Sequence, residues 1–335
     1  MGIERETRLN KKLIVILGPT ASGKTELAIT LAKKFNGEII NADSRQIYRE
    51  LDIGTAKPTK KERNIVPYHL LDIASPKRKF TIFQYRKLAL KTIEKIQQKG
   101  KIPFLVGGTW FYIRAIVDGL VIPEVPPQWK LRKTLEKKSA KELYNILKKL
   151  DKQRAKTIEK ENKRRLIRAI EICQKMGKVP PLRFNPLPYP VLMIGIKREK
   201  EELMKRIKSR FFQWLKRGLI EEVKKLRKKG VSFKRIEEFG MHYREIVKYL
   251  QGKISKKEMI KNSIKAIQNY AKKQISWFKK DPRIYWIENK KEAEKINLKF
   301  LRNSHNSKFT HLFSLQKNST RENVDSPVNH KELDK

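Results

Sequence analysis

An apolar run rich in β-branched residues, Leu13-Ile14-Val15-Ile16-Leu17, leads without a break into Gly18-Pro19-Thr20-Ala21-Ser22-Gly23-Lys24-Thr25. The run reads as a buried parallel strand. The octapeptide fits the Gly-x-x-x-x-Gly-Lys-Ser/Thr pattern of a phosphate-gripping loop, and helical spacing of Leu27, Leu31 and Phe35 follows it. Strand, glycine-bounded loop and helix in immediate succession commit the chain to an α/β fold. They also imply a substrate carrying a diphosphate or triphosphate. The glycines let backbone N–H groups converge on phosphate oxygens, and the helix N-terminus adds a positive dipole. Lys24 supplies a point charge, and the Thr25 hydroxyl suits a Mg2+ bridging the phosphates.

The same alternation continues. Residues 38–41 read as a second strand ending at Ala42-Asp43-Ser44. Residues 83–98 read as an amphipathic helix with Leu88, Ile93 and Ile96 inward, and residues 102–106 as a third strand ending in Gly107-Gly108-Thr109. Residues 191–196 read as a fourth. The expected fold is a P-loop NTPase-like parallel sheet flanked by helices, with a helical insertion. The core is expected in two parts, 1–122 and 191–288. They are interrupted by a Lys/Arg-rich helical insertion at 123–190 that leaves through Pro180, Pro181, Pro186, Pro188 and Pro190. Beyond Asn289 the apolar periodicity fades, and residues 289–335 read as a disordered tail.

Composition narrows the partners. With 80 Lys and Arg against 35 Asp and Glu the formal net charge is +45, which points to a polyanion, although a lysine-rich proteome would also raise it. A single cysteine, Cys173, excludes a disulfide framework and a cysteine-based zinc site, and reads as a buried small hydrophobe. The run after the charged N-terminus is too short for a membrane span or signal-peptide core. A cytoplasmic monomer is the expectation.

In an open parallel sheet, ligands lie at the carboxyl ends of the strands, which gathers Asp43 and Thr109 beside the loop. Alone, Asp43 could be a turn residue and Thr109 a helix N-cap. Arg206 and Arg210 are four apart and share a helix face, and arginines at Arg164, Arg165 and Arg168 are suited to gripping phosphates. From the residues alone, two other functions stay open. A nucleotide or nucleoside kinase would use the loop for ATP, with Asp43 activating a hydroxyl. An RNA-binding NTPase would need no group transfer. Both call for an Asp-ended apolar strand, and no such strand stands out.

Taken in order, several strings resemble one family. The loop is followed by Asn41-Ala-Asp-Ser-Arg-Gln-Ile-Tyr48, Ile53-Gly-Thr-Ala-Lys-Pro58, His69-Leu-Leu-Asp-Ile73 and Val106-Gly-Gly-Thr109, then by Arg165-Leu-Ile-Arg-Ala-Ile-Glu171 and Ala271-Lys-Lys-Gln-Ile-Ser-Trp-Phe278. In this order they resemble the tRNA dimethylallyltransferases of bacterial type. The resemblance implies transfer of a dimethylallyl group from dimethylallyl diphosphate to the exocyclic amine of the adenosine 3′ of the anticodon. The loop, Gly18 to Thr25, would hold the donor diphosphate with Mg2+. Asp43 would be the general base, with Thr109 and Arg210 placing the amine and steadying the leaving group. Asp43, Ser44, Arg45, Gln46, Thr109, Arg132, Arg164, Arg165, Arg168, Lys272, Lys273, Gln274 and Trp277 would contact the tRNA anticodon stem-loop. Departures from the family pattern are Trp110 and Phe111 after Thr109, two residues interposed in Gly240-Met-His-Tyr243-Arg244-Glu245, and Lys273 where arginine is usual.

Overall fold

The computed structural model describes residues 11–302. The chain divides into two compact units, one formed by residues up to Asp118 together with those from Pro186 onward, the other by Gly119–Asn185. In the first unit, β1 (Leu13–Leu17) leads through the glycine loop to α1 (Lys24–Lys34), then β2 (Gly37–Asn41), α2 (Lys60–Arg63), β3 (Tyr68–His69), α3 (Ile82–Gln98), β4 (Ile102–Gly107) and α4 (Trp110–Val117). The second unit contributes β5 (Leu120–Val121), α5 (Trp129–Glu136), α6 (Ala140–Leu150), α7 (Lys152–Thr157), α8 (Lys163–Met176) and β6 (Arg183–Phe184). The first unit resumes with β7 (Val191–Ile196), α9 (Lys200–Lys216), α10 (Leu219–Lys228), α11 (Phe233–Glu237), α12 (Met241–Leu250), α13 (Lys256–Phe278), β8 (Ile284–Ile287) and α14 (Lys290–Arg302).

The sheet of the first unit has six strands in the order β3-β2-β4-β1-β7-β8, all parallel. The four expected strands are its centre; β3 and β8, at the edges, are two and four residues long, too short to announce themselves. Alternation along β1 divides the core. Leu13, Val15 and Leu17 face a layer built from α3, α4, α9, α12 and α13, while Ile14 and Ile16 face α1 and α14. Both faces are covered, as an all-parallel sheet requires. The buried face of α3 is Tyr85, Ala89, Ile93 and Ile96; Leu88, expected inward, is exposed, because the stripe is centred one position on. Capping boxes at Thr81 and Ser255 start α3 and α13.

Two boundaries differ from expectation. Residues 290–302 are not a disordered tail but the helix α14. Ala293 and Phe300 are buried from it against the sheet, and Lys12 Nζ donates to the carbonyls of Phe300 (3.1 Å) and Leu301 (2.7 Å). Its apolar stripe is sparse, so its helical character rests on tertiary burial more than on local pattern. The remainder of the expected tail, 303–335, lies outside the described residues. The insertion begins at Gly119 rather than at residue 123 and ends at Asn185 rather than at residue 190. β5 and β6 pair antiparallel across its neck, and Leu187 and Tyr189 of the proline-rich exit are buried in the core of the first unit. The second unit has its own core of Leu135, Leu143, Leu147, Leu166, Ile170 and Cys173. Cys173 is a buried free thiol, as its helical position implies.

Candidate active site

The loop after β1 curls as its sequence demands. Ala21 (φ 65°) and Gly23 (φ 101°) adopt left-handed backbone, which glycine accepts freely at the position just before Lys24 opens α1. Ser22 N–H donates to Pro19 O at 3.3 Å, and Lys24 Nζ folds back to the same carbonyl at 2.7 Å. Ser22 is fully buried, and its hydroxyl has no partner among the described residues. Thr25 sits half-buried on the first turn of α1, its hydroxyl type suited to a magnesium ion.

Around this loop lies a cluster of cations. Arg206 Nε donates to Ala21 O at 2.9 Å and Arg198 Nε to Ser22 O at 3.2 Å, so the loop's outward carbonyls are held by two guanidinium groups. Burial, together with the neighbouring Arg210 charge, lowers Lys24 to about 7, while Asp43 acts in the opposite direction. Burial and Arg206 lower Arg210. Asp43, Lys24 and Arg210 thus share one electrostatic neighbourhood. Arg198 was not among the expected site residues, and Arg206 entered only as the neighbour of Arg210; the four-residue spacing Arg198-Glu202-Arg206-Arg210, from just before α9 along one side of it, was the available signal.

Asp43 sits in the turn after β2. Asn41 Oδ1 accepts its N–H at 3.0 Å, Asn41 Nδ2 donates to its carbonyl and to Leu70 O, and Asp43 Oδ1 accepts the Arg45 N–H at 2.8 Å. Thr109 stands at the N-terminus of α4, but its side chain makes no capping bond. Its Oγ1 instead accepts the Ser44 N–H at 3.0 Å and lies 3.3 Å from Ser44 Oγ, while its own N–H donates to Ala42 O at 3.2 Å. The ends of β2 and β4 are stitched together. The fit tolerates no side chain at Gly107, where a Cβ would lie 2.1 Å from Ala42 O. The Asp43 charge also reaches the buried phenols of Tyr85 and Tyr112 and the Tyr270 hydroxyl, all of which are raised chiefly by desolvation.

The strings after Asp43 are held from within. Gln46 Nε2 donates to Thr55 O (3.0 Å) and Ala56 O (3.2 Å). Lys57, its side chain fully buried, reaches Tyr48 O, Asp52 and Asp72. Glu222 of α10 accepts the N–H groups of Asp52, Ile53 and Gly54 and the Tyr243 hydroxyl. His242 packs at a tilt against Trp214 and Tyr243, and burial pushes its pKa down to about 4. The interposed residues before Tyr243 therefore lie within the first turn of α12. Trp110 packs edge-on against Phe278 at 5.7 Å.

Residues expected to touch RNA fall into two groups. Ser44, Arg45 and Gln46 line the Asp43 turn, and Lys272, Lys273 and Arg164 are exposed. Gln274 (2% exposed) and Trp277 (8%) are interior. In the second unit, Glu171 is fully buried and takes ion pairs from Arg132 and Arg168, and Arg165 is buried within 3.4 Å of Glu159. Arg165 is thus not presented to a surface ligand; on a helix buried along one side, it falls on the inner face. No group of three or more His, Cys, Asp or Glu side chains able to hold a metal occurs among the described residues.

The IPP transferase family model matches residues 46–281, and an isopentenyl transferase model matches residues 11–79. The chain is similar to the tRNA dimethylallyltransferase of Halothermothrix orenii, with 42% identity over 287 residues covering 83% of this chain and 88% of that one. It is likewise 41% identical to the tRNA dimethylallyltransferase of Acetivibrio thermocellus, covering 86% and 96%. Among solved structures it resembles the full-length tRNA isopentenylpyrophosphate transferase of Bacillus halodurans (TM-score 0.64, 33% identity, 93% of this chain and 99% of that one). It also resembles a eukaryotic dimethylallyltransferase acting on tRNA (TM-score 0.72, 28% identity, 83% and 74%).

Proposed function

The chain belongs to the IPP transferase family, and from that premise we propose how its residues divide the work of prenylating a tRNA adenosine. The enzyme transfers a dimethylallyl group from dimethylallyl diphosphate to the exocyclic amine of the adenosine 3′ of the anticodon. A kinase or an RNA-dependent NTPase would share the loop but not the family.

The donor's diphosphate lies against the amides of Gly18 to Thr25, with Lys24 and Arg210 flanking it. Carbon–oxygen cleavage sends an electron pair to the departing diphosphate, and the positive charge already placed at Lys24 and Arg210 stabilises it without reorganisation. The amine attacks the allylic carbon, a carbon–nitrogen bond forms, and the amine proton passes to the Asp43 carboxylate. Thr109, fixed to the Asp43 turn, places the amine. A hydroxyl with diphosphate oxygens and water is a hard-oxygen set that suits Mg2+, and Thr25 would hold it there; the bound ion would supply charge to the leaving diphosphate. The target base leaves the stack to reach this crevice, a small cost in an anticodon loop. Ser44, Arg45, Gln46, Lys272, Lys273 and Arg164 serve the RNA side, and Arg132 and Arg168 shape the insertion surface through Glu171. A monomer in the cytoplasm is the working form; no helix among the described residues is long and apolar enough to cross a membrane.

The single observation that carries this reading is geometric: Gln274 bonds the Thr20 N–H of the loop and Gly108 O, and the adjacent Thr109 hydroxyl accepts the Ser44 N–H beside Asp43, so a base and a leaving-group site are held in one place. The test incubates the protein with Mg2+, dimethylallyl diphosphate and an anticodon stem-loop, and looks for prenylated adenosine by mass spectrometry. Folded protein giving no product overturns the reading, and ATP turnover without RNA would favour a kinase.

A further inference from the structure

Gln274 was expected to touch tRNA, yet it is 2% exposed and both ends of its amide are engaged within the protein. Its Oε1 accepts the Thr20 N–H of the phosphate loop at 2.8 Å. Its Nε2 donates to Gly108 O at 2.9 Å. Both the oxygen and the nitrogen of the amide are thus committed to backbone partners, which fixes the side chain facing inward and away from a surface ligand. The amide orientation is set by chemistry, because the Thr20 N–H can only donate and Gly108 O can only accept.

The two partners belong to different halves of the reaction. Thr20 lies in the donor's diphosphate loop. Gly108 precedes Thr109, whose hydroxyl accepts the Ser44 N–H beside Asp43. A continuous chain of bonds therefore runs from the phosphate loop through Gln274 to Thr109 and on to the Asp43 turn. Gly108 is fitted to it: a Cβ there would lie 2.5 Å from Gln274 Nε2 and 3.5 Å from Gly18 O.

We propose that Gln274 is a positioning residue that straps the diphosphate loop to the amine-placing threonine, setting the distance between donor and acceptor, and is not an RNA contact. This rests on the prenyl-transfer reading above. Group transfer needs the reacting atoms held at a fixed separation, and small misplacements are costly. The strap fixes that separation through a single buried side chain.

The test uses the full chain, with Gln274→Ala, Gln274→Glu, Gly108→Ala and the double variant Gly108→Ala/Gln274→Ala. Gln274→Ala should lower kcat by about 10- to 100-fold, with KM for dimethylallyl diphosphate and affinity for the anticodon stem-loop each within about threefold of wild type. Gln274→Glu keeps an acceptor for Thr20 but sets a carboxylate oxygen against Gly108 O, so it should protect the Thr20 amide from hydrogen exchange without restoring kcat. Gly108→Ala should lose a similar factor, and the double variant should be no slower than the worse single variant, since both break one link. RNA affinity that weakens in step with kcat would overturn the proposal by making Gln274 an RNA contact, and so would full activity in Gln274→Ala. Should wild type prenylate nothing, the functional reading fails alone. The strap is then judged by the Thr20 amide, which must exchange faster in Gln274→Ala, and unchanged exchange there overturns it.

Discussion

The Thr109 hydroxyl accepts the Ser44 N–H at 3.0 Å, so the residue at the head of α4 also fixes the turn that carries Asp43. Replacing it with valine keeps the shape and leaves that N–H without its acceptor. Thr109→Val should destabilise the protein by about 1–2 kcal/mol and slow transfer at least about tenfold, whereas Thr109→Ser should stay near wild type. Thermal melts alongside single-turnover transfer assays separate the two losses, and equal activity in Val and Ser variants would remove Thr109 from the mechanism.

Asp43→Asn can still accept the Arg45 N–H but cannot take the amine proton. Loss of a general base should reduce kcat by about 10²- to 10⁴-fold, with stem-loop affinity nearly unchanged. A parallel collapse in RNA affinity would make Asp43 a recognition residue instead.

Lys24 titrates near 7 in the free protein because burial and Arg210 outweigh Asp43. On the proposed reading the protonated form binds the diphosphate, and binding in turn raises the lysine's pKa. Donor affinity should therefore be full below pH 7 and fall as pH rises above it, until the pKa of the bound state is passed. Calorimetric titration with inorganic diphosphate from pH 6 to 9 would show this slope, and Lys24→Met should flatten it. A flat wild-type profile would contradict the assignment.

Glu222 accepts four donors, the N–H groups of Asp52, Ile53 and Gly54 and the Tyr243 hydroxyl. Each carboxylate oxygen takes two of them, so an amide cannot substitute. Both Glu222→Ala and Glu222→Gln should lose about 3 kcal/mol in urea unfolding. A Gln variant as stable as wild type would show that the charge is not needed there.

In the second unit, Glu171 and Arg164 should separate cleanly. Glu171→Ala leaves Arg132, Arg168 and the Gln128 N–H without their buried acceptor and should cost about 3 kcal/mol. Arg164→Ala, on an exposed position, should reduce the salt dependence of stem-loop binding by about one unit of slope. Binding isotherms at several salt concentrations decide this.

How much of this was legible can be followed residue by residue. The central strands were readable because a parallel strand buried on both faces is a near-continuous apolar run, as Leu13–Leu17 and Val191–Ile196 are. The edge strand Ile284–Ile287 was not, because four apolar residues are too short a run to stand out, and the helix Lys290–Arg302 was not, because its apolar residues are few and acquire meaning only from what they cover. Leu88 was misassigned because periodicity gives a stripe but not its centre.

The amino-acid sequence by itself determined the glycine-bounded loop between β1 and α1, the α/β fold, the positions of Asp43 and Thr109 at strand ends, and the family. These follow from local backbone requirements and from residue order, which need no partner. Tertiary structure alone decided which cations serve the loop and which serve the core. Arg206 and Arg198 hold the loop's carbonyls, Arg165 is buried beside Glu159, and Gln274 turns inward between Thr20 and Gly108. In a chain with 80 Lys and Arg, charge cannot tell these roles apart, because they depend on which acceptors folding brings within about 3 Å.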